Sequence, residues 1–79
     1  MRLDKYLKVS RLIKRRTVAN EACDSQRVTA NGRSVKASYD VKVGDVLEFR
    51  FGERVTRVEV LAVSEHAGKD DAPALYKEL

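Results

Sequence analysis

Three turn signals, Asn31-Gly32, Val43-Gly44-Asp45 and Gly52-Glu53, cut the middle of this chain into short pieces. Asn and Gly both tolerate positive φ, so Asn31-Gly32 is a tight-turn signal of the hairpin kind. Pieces of that length joined by tight turns pair with their chain neighbours, which makes a small antiparallel sheet. Arg27 to Ala30 reads as a short strand, and Arg33 to Lys36 as its return. Tyr39 to Lys42 is a connection. Val46 to Phe51 alternates, with Leu47, Phe49 and Phe51 on one face and Glu48 and Arg50 on the other. Val55 to Val63 reads as a longer strand, with Val58, Val60 and Ala62 on one face.

The residues before these turns carry a different period. At about 100° per residue, Leu3, Tyr6, Leu7, Val9 and Ser10 share one side of a helix. Arg2, Lys5, Lys8 and Arg11 take the other. Asp4 in the first turn suits the positive end of the helix dipole. Leu12 would enter the basic arc if the helix ran on, so the spacing predicts a break near Ser10–Leu12. Lys14-Arg15-Arg16 then forms a connection. Thr17 is placed to cap a second helix, whose apolar stripe is Val18, Ala19, Ala22 and Cys23 and whose end falls near Ser25. Two helices followed by an antiparallel sheet is an α+β arrangement. The stretch His66 to Asp71 is polar and reads as a linker. Asp71 is placed to cap a short last helix, Ala72–Leu79, with Leu75 and Leu79 docking on the domain.

Seventy-nine residues hold one small domain with a thin core. No apolar run approaches the roughly 18 residues of a membrane span, and no apolar stretch of a signal peptide follows Met1. One cysteine, Cys23, cannot form an internal disulfide and sits on an apolar stripe as a small hydrophobe. These features point to the cytoplasm. The four glycines are scattered, so there is no phosphate loop. His66, the sole histidine, reads as a surface residue, and with one cysteine elsewhere it makes no zinc site. With no nucleophile–base set, the expectation is a protein with no catalytic residues, no metal and no cofactor.

Charge is where the chain is informative. Residues 1–16 hold seven basic residues and one acid, a charge of +6, while residues 17–79 hold nine basic and eleven acidic, a charge of −2. A cluster so lopsided is the footprint of a polyanion. Arginine forks suit phosphate, and the amides opening the second helix lie beside them. Arg33 and Lys36 extend the patch. Tyr6, Phe49 and Phe51 fall on apolar faces, which argues against a base-stacking platform for single strands. Recognition of structured RNA by shape and backbone fits better.

Arg2-Leu3-Asp4-Lys5 with Leu7, Arg15-Arg16-Thr17 with Ala19, Arg27-Val28 with Asn31-Gly32, and Val41 with Gly44-Asp45 form an ordered set. Over about residues 2–50 this set resembles the S-four, or alpha-L, RNA-binding domain. The resemblance implies two N-terminal helices packed on a small antiparallel sheet over residues 1–64, followed by a polar linker and C-terminal tail over residues 65–79. It implies Leu3, Leu7, Ala19, Val28 and Val46 as core. It implies RNA-facing roles for Arg2, Lys5, Arg11, Lys14, Arg15, Arg16, Thr17 and Asn20, to which the basic arc adds Lys8, and the hairpin adds Arg33 and Lys36. Gln26 stands where the family commonly has glycine, so the second helix either ends differently there or carries mild strain.

The stretch Lys8 to Arg16 is most similar to stand-alone members of the quality-control (RqcP) group, with the ribosome-associated heat-shock proteins of the same fold beside them. This implies a monomeric, ribosome-associated protein on stalled large ribosomal subunits. Its partners would be large-subunit rRNA, peptidyl-tRNA and an RqcH-type tailing factor, and it would support C-terminal alanine tailing of the stalled chain. Two rivals remain: a heat-shock-type recycling factor for obstructed subunits, and a protein–protein adaptor whose basic face meets an acidic partner.

Overall fold

The apolar residues at helical spacing, Leu3, Tyr6 and Leu7, are buried along one side of α1 (Leu3–Val9), with the C-cap Ser10 buried after them, in the computed structural model, which describes residues 1–64 and 72–79. The helix stops at Arg11, which takes a left-handed φ of 63°. The Arg11 amide donates to the Lys8 carbonyl at 3.0 Å, and the Ile13 amide to the Leu7 carbonyl at 3.0 Å. That reversal returns Ile13 to the core and keeps Leu12 out of the basic arc, where the spacing had required a break.

α2 (Arg16–Asp24) begins one residue ahead of the expected cap. Arg15, with extended backbone, is the N-cap, and no side chain caps the end. Thr17 lies exposed in the first turn. The phase of α2 is set by burial of Ala19, Ala22 and Cys23, not by a hydroxyl cap. Val18 is off that stripe and 39% exposed. Burial raises the Cys23 thiol to about 11, so it stays protonated. The C-terminal end answers the question posed by Gln26. The helix closes in the left-handed manner with φ 61° at Gln26. The Gln26 amide donates to Cys23 at 3.1 Å and the Arg27 amide to Ala22 at 2.9 Å, a Schellman pair. Gln26 therefore carries the strain that glycine would avoid.

The strands are β1 (Val28–Ala30), β2 (Arg33–Ser34), β3 (Val46–Phe51), β4 (Arg54–Val60) and β5 (Tyr76–Glu78). They form one antiparallel sheet in the order β2-β1-β3-β4-β5. Asn31 and Gly32 both have positive φ, 54° and 83°, as the β1–β2 turn requires. The Asn31 side chain also spans two strands' ends: its Nδ2 donates to Asp45 Oδ1 at 3.1 Å and its Oδ1 accepts the Val46 amide at 3.0 Å. Asp45 accepts the Tyr39 hydroxyl at 2.8 Å and the Lys42 amide at 3.0 Å on its other oxygen.

Val28, Ala30, Leu47, Phe49, Val58 and Val60 face α1 and α2 and complete the core. Val46 is half-buried on the other face, because the alternation that buries Leu47 turns its neighbour away. Phe51 is 37% exposed and stacks edge-on against Phe49 at the sheet's end. β2 and β4 are shorter than the expected strands. Beyond Val60 the Leu61 and Ala62 amides turn to the Leu75 carbonyl, at 2.9 and 3.2 Å.

The expected last helix is a single 3₁₀ turn (Ala72–Leu75) that runs straight into β5. The edge of β4 has backbone groups to satisfy, and Tyr76–Glu78 satisfies them. The segment read as a tail thus supplies the fifth strand. Leu75 docks as expected, while Leu79 is 57% exposed. The buried Tyr6 hydroxyl donates to the Leu75 carbonyl at 2.7 Å and ties α1 to this C-terminal turn. The linker residues, including His66 and Asp71, lie outside the described residues.

Candidate RNA interface

Seven cations and one acid fill the first sixteen residues, and the acid organises the cations. Asp4 sits on the first turn of α1 and is 2% exposed. Arg2 brings Nε to 3.2 Å and Nη2 to 3.4 Å of its carboxylate. Arg16, at the start of α2, brings Nε to 3.3 Å. Asn20, one turn further along α2, donates from Nδ2 at 3.3 Å, and the Lys5 amide donates at 2.8 Å. Burial pushes the Asp4 carboxyl up, but these hydrogen bonds from Arg16, Asn20, Arg2 and the Lys5 amide outweigh it and hold Asp4 below the usual carboxylate range. The carboxylate therefore stays ionised and fixes two guanidiniums whose outer halves remain in water, at 51% and 46% exposure.

The expected site residues divide around this centre. Arg2, Arg16 and Asn20 converge on it, and Thr17 lines the same shallow hollow with Glu21. Lys8, Arg11, Lys14 and Arg15 are exposed along the end of α1 and the connection to α2. Lys5 is half-buried on α1. Lys36 is exposed beside Ala37, whose carbonyl accepts the Asp4 amide at 3.2 Å, so the backbone brings it to the opening of α1. Arg33 is exposed on the edge strand β2 and makes no hydrogen bond to Asp4. The Met1 amine forms an ion pair of 2.7 Å with Asp40, and Arg2 bridges to the same residue through the backbone.

Sequence reasoning assigned Asp4 to the helix dipole and missed its role as the hub. A lone acid within a run of cations was the available signal. Among the described residues no group of histidine, cysteine and carboxylate side chains could hold a metal, and no helix is long and apolar enough to cross a membrane.

The sequence pattern of the S4 domain matches residues 1–47, which include α1, α2, the β1–β2 hairpin and the described residues that donate to the Asp4 carboxylate, Arg2, Lys5, Arg16 and Asn20. The chain belongs to the S4 domain family. The S4 domain here is extended by the rest of β3, by β4 and by β5. The chain is 53% identical over 77 residues to the RQC P-site tRNA stabilizing factor of Halalkalibacterium halodurans, covering 98% of this chain and 88% of that protein. It is 51% identical over 76 residues to the factor of that name from Bacillus subtilis, covering 96% and 88%. The heat shock protein 15 homolog of Haemophilus influenzae is 34% identical over 79 residues, covering 99% of this chain and 60% of that protein. Among solved structures, the S4 fold here matches Vibrio cholerae heat shock protein 15, described as trimeric, with a TM-score of 0.92 and 30% identity over all of this chain and 81% of that one.

Proposed function

We propose that this S4 domain protein is a non-catalytic RNA-binding factor of bacterial ribosome-associated quality control. On this reading it binds large ribosomal subunits obstructed by peptidyl-tRNA, touches both the rRNA and the tRNA, and supports C-terminal alanine tailing of the stalled chain beside an RqcH-type factor in the cytoplasm. The observation that carries it is the Asp4-centred corner: two guanidiniums fixed side by side, their outer faces wet, in a chain half identical to proteins named for stabilising P-site tRNA. A fixed fork loses little freedom on meeting a phosphate, so its binding energy is conserved. Lys8, Lys14 and Arg15 add charge around the corner that releases counterions from RNA. The stronger identity to the tRNA-stabilising relatives than to the heat-shock homolog, 53% against 34%, favours this reading over recycling of obstructed subunits.

The test is gradient fractionation of tagged protein, with sequencing of the RNA that co-purifies. Large subunits with tRNA are expected to be enriched over empty ones. Arg33→Glu with Lys36→Glu is expected to erode that preference more than it erodes binding to bare rRNA. Equal recovery of empty and loaded subunits would leave a general rRNA-binding protein. Binding that survives nuclease treatment would favour the adaptor.

A further inference from the structure

Two arginines outside the α1–α2 corner are placed at a cost. Arg27 follows the cap of α2, and its carbonyl accepts the Arg50 amide at 2.9 Å. That bond continues the β1–β3 register, in which Val28 lies opposite Phe49, by one residue. Val28 and Phe49 are buried, so Arg27 and Arg50 stand opposite one another on the face turned away from the core. Like charges directly opposite on paired strands are destabilising.

The nearby acid is paired with a third arginine. Glu48 Oε2 is taken by Arg57, at 3.3 Å from Nε and 3.1 Å from Nη2. Among the described residues neither Arg27 nor Arg50 has a carboxylate partner. Ser25, Gln26, Thr29 and the Arg57-paired Glu48 line the same concave patch, the first three adding hydroxyl and amide groups beside the two guanidiniums.

We infer that this patch is a second contact for an RNA phosphate backbone, distinct from the α1–α2 corner. α2 separates the two: Arg16 opens it and Arg27 follows its far end. Nine residues of helix span about 13 Å, beyond the roughly 8 Å over which charges feel each other at physiological salt. The two surfaces therefore act separately and can engage two backbone segments together, which raises affinity for a site where two RNAs converge. The inference rests on the RNA reading above and adds to it a surface that lies beyond every residue assigned there.

The test uses the full chain with two probes: a labelled RNA hairpin, and purified large subunits carrying peptidyl-tRNA. Arg27→Ala with Arg50→Ala is expected to keep or raise the unfolding midpoint, because repulsion is removed. It is expected to weaken binding and to make the salt dependence shallower by about 0.7–0.9 for each phosphate no longer neutralised. Arg27→Lys with Arg50→Lys, which keeps the charge, is expected to retain most of the slope. An unchanged slope on both probes would overturn the inference, as would a Lys pair that binds as weakly as the Ala pair. Displacement of the hairpin by polyglutamate as readily as by unlabelled RNA would overturn RNA as the occupant. A wild-type chain that binds neither probe would overturn the RNA reading itself.

Discussion

Arg16 of α2 lies with its Nε 3.3 Å from Oδ2 of Asp4 on α1, the acid dry and the guanidinium half in water. The pair joins two helices and also aims a cation outward. Removing Arg2 and Arg16 together would strip a buried carboxylate of both charged partners, so alanine at these two positions reports on folding as well as on RNA. Asp4→Asn separates the roles. It is expected to cost about 1.5–3 kcal/mol of stability, the range for hydrogen bonds to charged groups. It is also expected to weaken RNA binding although net positive charge rises. Chemical denaturation and hairpin titration measure the two effects, and tighter RNA binding by the variant would show Asp4 to be only a counter-charge.

Cations without a structural duty sit elsewhere. Lys8, Lys14 and Arg15 are exposed, and no described carboxylate pairs with them. Changing all three to Ala is expected to leave stability within about 0.5 kcal/mol of the wild type. The salt dependence of RNA binding is expected to flatten by about 0.7–0.9 for each phosphate that goes unneutralised. A folded triple variant with an unchanged slope would remove these residues from the interface.

Acid weakens this fold through Asp4 and Asp45, the two buried carboxylates held low; Asp40, paired with the Met1 amine, is also held low but lies exposed. Asp4 is held low by its four donors. At Asp45 burial pushes upward, but the Lys42 amide, Asn31 and Tyr39 outweigh it, so it too is held low. The unfolded chain then takes up protons at higher pH than the folded one does. The stabilisation is complete above the ordinary carboxylate range and is lost as pH falls through the lowered folded values, below about pH 4. Urea midpoints measured across that range are expected to drop with pH. Asp4→Asn should show a shallower drop, and its deficit should shrink towards the acid end. Parallel curves for the two proteins would show that Asp4 titrates alike folded and unfolded.

Gln26 and Arg11 both hold left-handed backbone without being glycine, at φ 61° and 63°. A Cβ in that region costs roughly 1–2 kcal/mol, partly offset by the entropy glycine loses on folding. Gln26→Gly is expected to stabilise by about 0.5–1 kcal/mol, the difference between those two costs. Arg11→Gly should stabilise similarly while weakening RNA binding, since it also removes an exposed cation. Denaturation curves for both, with binding measured on the second, check this; destabilisation by Gln26→Gly would mean its side chain contributes more than its backbone costs.

Leu7 is fully buried between the helices and the sheet. Leu7→Ala is expected to cost about 2–5 kcal/mol, enough to unfold much of a domain this small at ordinary temperature. A thermal melt reads it directly, and a midpoint close to the wild type would show that the core collapses around the gap.

Much of this protein was written locally. The face of α1 follows from the spacing of Leu3, Tyr6 and Leu7, because a helix repeats its environment every three or four residues. Its end at Arg11 follows from Leu12, which could not continue without an apolar group among cations. The β1–β2 turn follows from Asn31-Gly32, whose backbone preferences need no distant partner. The cationic first sixteen residues, and with them the polyanion reading, are a property of composition alone. What tertiary structure decided has a common cause: groups whose state depends on what arrives from elsewhere in the chain. Asp4 became a buried hub only when α2 brought Arg16 and Asn20 against it, since an isolated carboxylate would not leave water. Thr17 lost the cap to Arg15, whose carbonyl accepts the Ala19 amide at 3.1 Å, as α2 opens at Arg16 against Asp4. Tyr76–Glu78 became a strand because the open edge of β4 demanded backbone partners, a demand made about twenty residues away and invisible in those three side chains.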